Sequence, residues 1–244
     1  MRAWTTTWIV AAALALTLVA PALVAPAQAA PAIDWDPVMF YSLPPSGAGA
    51  ITPNNAPVGA QLVGVGTVST FGPPLTFLNA NIPAFEYSIY VYGLISTGTI
   101  TSGGPGLFFY STNYSGGFIE IREDTSPDAT FAPFPPNAAV PSTFQDGTVI
   151  LSGSFTSFLT QTDNFSAHGA GNAEGDITWT GGTLLSYTND PTGKACPGLF
   201  TGGMVSDPSV VTPGYIWRHD GKIDFNCPTA AKVSTWGNVK GTYR

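Results

Sequence analysis

Apolar residues in this chain recur at every second position, and clusters of Gly, Pro and Asn interrupt the runs. That alternation belongs to strands with one buried face, and it does not lay down the i, i+3, i+4 stripe that a packed helix needs. Residues 84–97 show it most clearly. Phe85, Tyr87, Ile89 and Val91 fall on one face, with Glu86, Ser88, Tyr90 and Tyr92 on the other. Residues 61–70, 147–161 and 176–187 read as further strands. Residues 107–112 and 117–123 read as a hairpin about Asn113 to Gly116. Prolines between 124 and 146 exclude a central strand there. No segment of twelve residues beyond the amino terminus shows helical periodicity.

Strands of unequal length joined by long Pro-rich connections predict an all-β fold, an antiparallel β-sandwich of jelly-roll type, with a closed β-barrel as the alternative. The predicted organisation is a signal peptide over 1–29, an irregular segment over 30–57, a main β domain over 58–190, and a disulfide-tied C-terminal segment over 191–244 packed on the same domain. The signal peptide rests on Arg2, an apolar run over 8–25, and the Ala27-Gln28-Ala29 cleavage pattern, with the cut after Ala29. Pro21 and Pro26 argue against retention of that run as a membrane anchor. No later segment is long and apolar enough to span a bilayer. The expected location is outside the cell or on its surface, and the Ala-rich leader points to a bacterium.

Cys196 and Cys227 are the two cysteines, and an exported protein is expected to pair them. Charged residues make up 9% of the chain, against about 25% in an average soluble protein, so hydroxyls, amides and backbone must hydrate the surface. Residues 30–193 hold twelve acids and one base, Arg122, whereas 194–244 hold six bases and three acids. Such an acidic body lacks the cations that neutralise phosphates, which excludes nucleic acid as a partner.

Candidate chemistry is sparse. Glu123, Asp124 and Asp128 lie where a strand gives way to a turn and could hold a Ca²⁺ ion, which takes six to eight oxygens in irregular geometry. Glu120 and Arg122 share a strand face and should pair. Asp163, Asn164, His168, Asn172, Glu174 and Asp176 form a second polar cluster among glycines, read as a flexible hairpin tip. His168 and His219 are the only histidines, and no G-x-S-x-G or H-E-x-x-H occurs. Glu86 and Glu120 are the best carboxylate pair for glycoside hydrolysis. Tyr90 and Tyr92, on the polar face of their strand, could stack on a ligand such as a sugar ring, as could Trp35, Trp179, Trp217 and Trp236. These features predict a non-catalytic extracellular or cell-surface protein, structural or adhesive, whose partner is itself or an extracellular glycan. A carbohydrate-binding module or a glycan-active hydrolase is the alternative.

Overall fold

The computed structural model describes residues 31–43, 49–164 and 169–227. The cleavage site at Ala29, His168 and Trp236 lie outside the described residues. Nine strands follow in chain order: β1 (Ile33–Leu43), β2 (Gln61–Phe71), β3 (Glu86–Gly104), β4 (Leu107–Ser115), β5 (Phe118–Asp124), β6 (Thr148–Asp163), β7 (Gly171–Gly181), β8 (Gly198–Val205) and β9 (Trp217–Phe225). All pairings are antiparallel. Each strand pairs with the next around the ring, β9 pairs back onto β1, and β2 pairs with β3. The sheet therefore closes into an eight-position barrel with one extra strand.

This closure overturns the predicted sandwich and selects the barrel. The unequal strand lengths that suggested two sheets have another cause. β4 and β5 do not form the expected hairpin; they lie end to end in one position of the ring, both antiparallel to β3. The long β3 and β6 each pair with both. Between the two short strands, Gly116 and Gly117 have φ of 68° and 102°, values that other residues adopt at a cost. A Cβ on Gly117 would also strike the Leu94 side chain at 2.4 Å. The ribbon bends there and continues around the ring.

Residues 33–43, which the sequence leaves inside an irregular segment, form β1. Its register shifts between Trp35 and Val38, so Pro37 sits in a bulge rather than in the ladder. Gly66 faces that bulge: a Cβ there would lie 2.6 Å from the Pro37 carbonyl oxygen. Trp217 to Phe225 then bring β9 alongside β1, with Ile33 opposite Ile223 and Phe40 opposite Trp217. Both β8 and β9 are thus staves of the ring. The Cys196–Cys227 disulfide is present and brackets the last pair of their ladder, Gly198 with Phe225.

An eight-stranded barrel is just wide enough for side chains to fill it. Trp35, Phe40, Phe158, Phe200, Trp217 and Ile223 are buried inside this one. Along β7, Ala173, Gly175, Ile177 and Trp179 point inward, and Asn172, Glu174, Asp176 and Thr178 point outward. β9 likewise carries Asp220 and Asp224 on its exposed side. Polar-out alternation is the inverse of a lipid-facing barrel. No helix among the described residues is long and apolar enough to cross a membrane.

Both ends of the ring are covered. Ile51, Ala56 and Ala60 join the core at one end, where Thr162 Oγ1 donates to the Pro53 carbonyl at 2.9 Å and Ser96 Oγ to the Ala56 carbonyl at 2.9 Å. Leu75 and Leu78 close the other end, and Leu184 and Leu185 pack against the same core. A second, smaller core lies outside the ring. The 125–147 connection meets the 206–216 connection through the Phe134 N–H on the Pro213 carbonyl. Together they lay Val140, Phe144, Val211 and Tyr215 over the outward Met39, Tyr41, Val63 and Val65. The outer faces of β1, β2 and part of β3 are thereby padded, and among the described residues no such core lies over β4, β6, β7, β8 or β9.

Candidate functional site

The antiparallel register sets Glu86 of β3 opposite Asp124 of β5, and Asp128 folds back from the following connection. Carboxylate oxygens of these three residues lie within 4.8 Å of one another. Burial raises the Glu86 carboxyl, the Ala129 N–H opposes, and the charges of Asp124, Asp128 and Asp146 raise it further. Asp128 is raised too, by desolvation and then by Asp146 and Asp124. Two of the three residues predicted to hold Ca²⁺ are therefore together, and their third partner is Glu86. Glu123 faces elsewhere, accepting the Tyr87 hydroxyl at 2.7 Å. Strand alternation separates it from Asp124, and only the register of a distant strand could reveal Glu86.

With one oxygen from each, three carboxylates supply half or less of a Ca²⁺ shell, and their mutual repulsion is the stronger feature. Glu86→Gln keeps an acceptor for Ala129 and removes one charge. We expect it to leave the folded state unchanged or more stable by less than ~1 kcal/mol at pH 7. The folded pKa of Glu86 is raised, so its stabilising effect is present below the unfolded pKa and lost as pH rises through the folded value. Guanidinium titrations at acid and neutral pH, with and without Ca²⁺, check this. A large loss in the variant, seen only with Ca²⁺, would show that the charge serves a metal.

Glu86 and Glu120 are not brought together as a hydrolytic pair. Glu120 lies opposite Tyr90, four positions along β3 from Glu86, or roughly 13 Å at a strand's rise per residue. Its carboxylate is occupied: Arg122 Nη2 donates to it at 2.6 Å and the Tyr92 hydroxyl at 3.1 Å. The expected Glu120–Arg122 ion pair thus exists, and Arg122 also donates to the carbonyls of Gln145 and Gly147, pinning the padding to the wall.

Tyr90 and Tyr92 stack on each other outside the ring, with centroids 4.6 Å apart and planes 14° apart. Phe118 continues the stack at 5.4 Å from Tyr92. Burial and the Glu120 charge raise both tyrosines. Tyr90 packs against the second core, so the stack buttresses the padding, and the exposed ring at its end is Phe118.

The sequence did not single out the open wall across β4, β6 and β7. A shallow groove of about 410 Å³ runs there, lined by Phe109, Ser102, Ser111, Gln161, Asp163 and Asn172 among others. Two cross-strand rows build it: Ser102, Phe109 and Asp163 in one, and Ser111, Gln161 and Asn172 in the next. Phe109 is 49% exposed. Asn172 and Asp163 stood out in the polar cluster, whereas Phe109 reads as an ordinary strand residue until the register turns it outward.

His219, adjacent to Asp220, lies within β9 and is completely buried. Trp35 Nε1–H donates to its Nδ1 at 3.1 Å, and its ring stacks on Phe200 at 5.0 Å. Burial lowers its pKa to about 3, with the Gly202 backbone opposing in part. This histidine is a neutral core residue. No known protein family, curated protein or solved structure matches the chain.

Proposed function

We propose that this chain is an exported, non-catalytic adhesive protein that holds an extracellular glycan on its open outer wall. The observation that carries the reading is the groove around Phe109. An exposed aromatic ring offers a flat apolar face to the C–H face of a sugar, and flanking amides and hydroxyls take up the sugar's hydroxyl groups in either hydrogen-bonding sense. Gln161, Asn172, Ser102 and Ser111 provide those groups with no need of charge, in keeping with a surface poor in charge. The filled interior directs binding to the outside. Export is supported by the residue pattern of 1–29 and by the disulfide.

Binding to a panel of polysaccharides, followed by NMR or calorimetry, tests the proposal. Phe109→Ala should weaken binding at least ~10-fold, the scale of a buried aromatic contact, and leave the melting temperature almost unchanged, because the ring is half-exposed. Binding unaffected by Phe109→Ala would refute the site. A second reading, glycan hydrolysis, has one observation in its favour: the raised Glu86 carboxyl beside Asp124 also lines a cleft of about 330 Å³ with Ile82 and Phe85. Turnover on the same panel that Glu86→Gln abolishes would favour it.

A further inference from the structure

β3 outruns its neighbour. Its ladder with β2 ends at the Gln61–Ile95 pair, and the Ser96 backbone is satisfied by Gly59 and Ala60. On its other side, the ladder with β4 continues to Gly104–Leu107. From residue 98 to 104 one edge of β3 therefore faces outward with no partner strand among the described residues. Ile100 is 65% exposed, and Val58, whose methyl lies close to Gly98, is 71% exposed. An unpaired edge is a template for another strand, and proteins blunt such edges with Lys, Pro or inward charge. None of these occurs from 96 to 104, and no charged residue occurs anywhere from 87 to 119.

We propose that this edge pairs, antiparallel about a two-fold axis, with the same edge of a second copy of the chain. Gly98 and Gly103, with φ of 102° and 115°, bound the regular segment, so Thr99 to Ser102 supply the central pairs. Charge selects the occupant. The chain carries a net charge of −7, and its open wall bears Glu174, Asp176, Asp220 and Asp224. Copies meeting there oppose carboxylates, whereas the 87–119 surface is neutral and offers no countercharge to an acidic or basic partner. A two-fold contact also sets the exposed Ile100 and Val58 of both copies about one axis. The interface is small, and its affinity is accordingly weak and concentration-dependent. The Phe109 groove reaches β3 only at Ser102 and runs from there across β4 to β6 and β7, away from this edge. The pairing does not depend on the glycan reading.

Sedimentation of the purified chain from about 10 µM to about 1 mM, the range of weak interfaces, tests it. The wild type should pass from monomer to dimer across that range. Added salt should strengthen the association, because it screens repulsion between the acidic bodies. Thr101→Lys should remain monomeric throughout, and Thr101→Val should dimerise like the wild type, with melting temperature confirming that both fold. Should Thr101→Lys fail to fold, Ile100→Lys gives the same reading at a neighbouring exposed position. A wild type that stays monomeric at every concentration, or a folded Lys variant that dimerises as well as the wild type, would overturn the proposal.

Discussion

Lowering the pH from 6.5 towards 3 is expected to remove on the order of 4 kcal/mol of folding stability through His219 alone. In the unfolded chain the imidazole takes up a proton near its ordinary pKa of 6.5, whereas in the barrel it does so only near 3. Between those values the unfolded state binds the extra proton, so stability falls as pH falls. The contribution is fully present above 6.5. The geometry explains why the folded state resists: Trp35, Phe40 and Phe200 surround the ring, and none can accept a proton or balance a charge. The Trp35 N–H also points at Nδ1, the atom that would be protonated.

The carboxylates Glu86 and Asp220, raised in the folded state, act in the opposite sense. The comparison with a variant is therefore the measurement. His219→Gln keeps an acceptor for Trp35 and cannot titrate. Guanidinium denaturation at pH 7, 5 and 4 should show the wild type losing its advantage over the variant as the pH falls. A difference between the two that is constant across pH would mean that His219 does not titrate in the unfolded state as a free imidazole, or is reached by water in the folded one.

What the sequence could and could not reveal follows from which signals depend on register. The inward Tyr87, Ile89 and Val91 of β3 are legible because alternation alone defines them, whereas β7 begins at Gly171 and ends at Gly181, so that its inward Ala173 and Gly175 fall in the stretch that reads as a hairpin tip. Alternation does not distinguish a sheet packed on another sheet from a sheet closed on itself, since both bury one face. The choice was made by Gly116 and Gly117, which turn two short strands into one bent stave, and by β1, whose Asp34, Asp36 and Pro37 obscure the pattern until Pro37 is placed in a bulge. The site residues divide in the same way. Asp124 and Asp128 are neighbours in sequence, so their convergence was visible. Glu86, and the alignment of Phe109 with Gln161 and Asn172, required the pairing of strands 38 to 63 residues apart. The tryptophans illustrate the same limit: Trp35, Trp179 and Trp217, open to a binding role by sequence, are buried in the core.

The disulfide should stabilise the whole barrel, not the C-terminal segment alone. Read from sequence, reduction is expected to loosen chiefly the residues after Asp190, because the long strands before it contain no cysteine. The ring changes that expectation. Cys196 and Cys227 bracket the open end of the β8–β9 pair, where the Asn226 N–H also donates to the Pro197 carbonyl at 2.8 Å. β9 is the strand that closes the ring against β1. Freeing the β8–β9 end raises the entropy gained when that seam opens, and an opened seam exposes Trp35, Phe40 and Trp217 together. The loop of about 32 residues corresponds to roughly 3.5–4 kcal/mol in the chain-entropy model. Paired Cys196→Ser and Cys227→Ser substitutions should therefore lower the unfolding free energy by about 3 kcal/mol or more, in a single cooperative transition. Hydrogen exchange locates the effect: protection should fall in β1 and β2 as well as in β8 and β9. Faster exchange confined to 190–227, with β1 and β2 unchanged, would show that the C-terminal segment loosens locally without opening the β1–β9 seam.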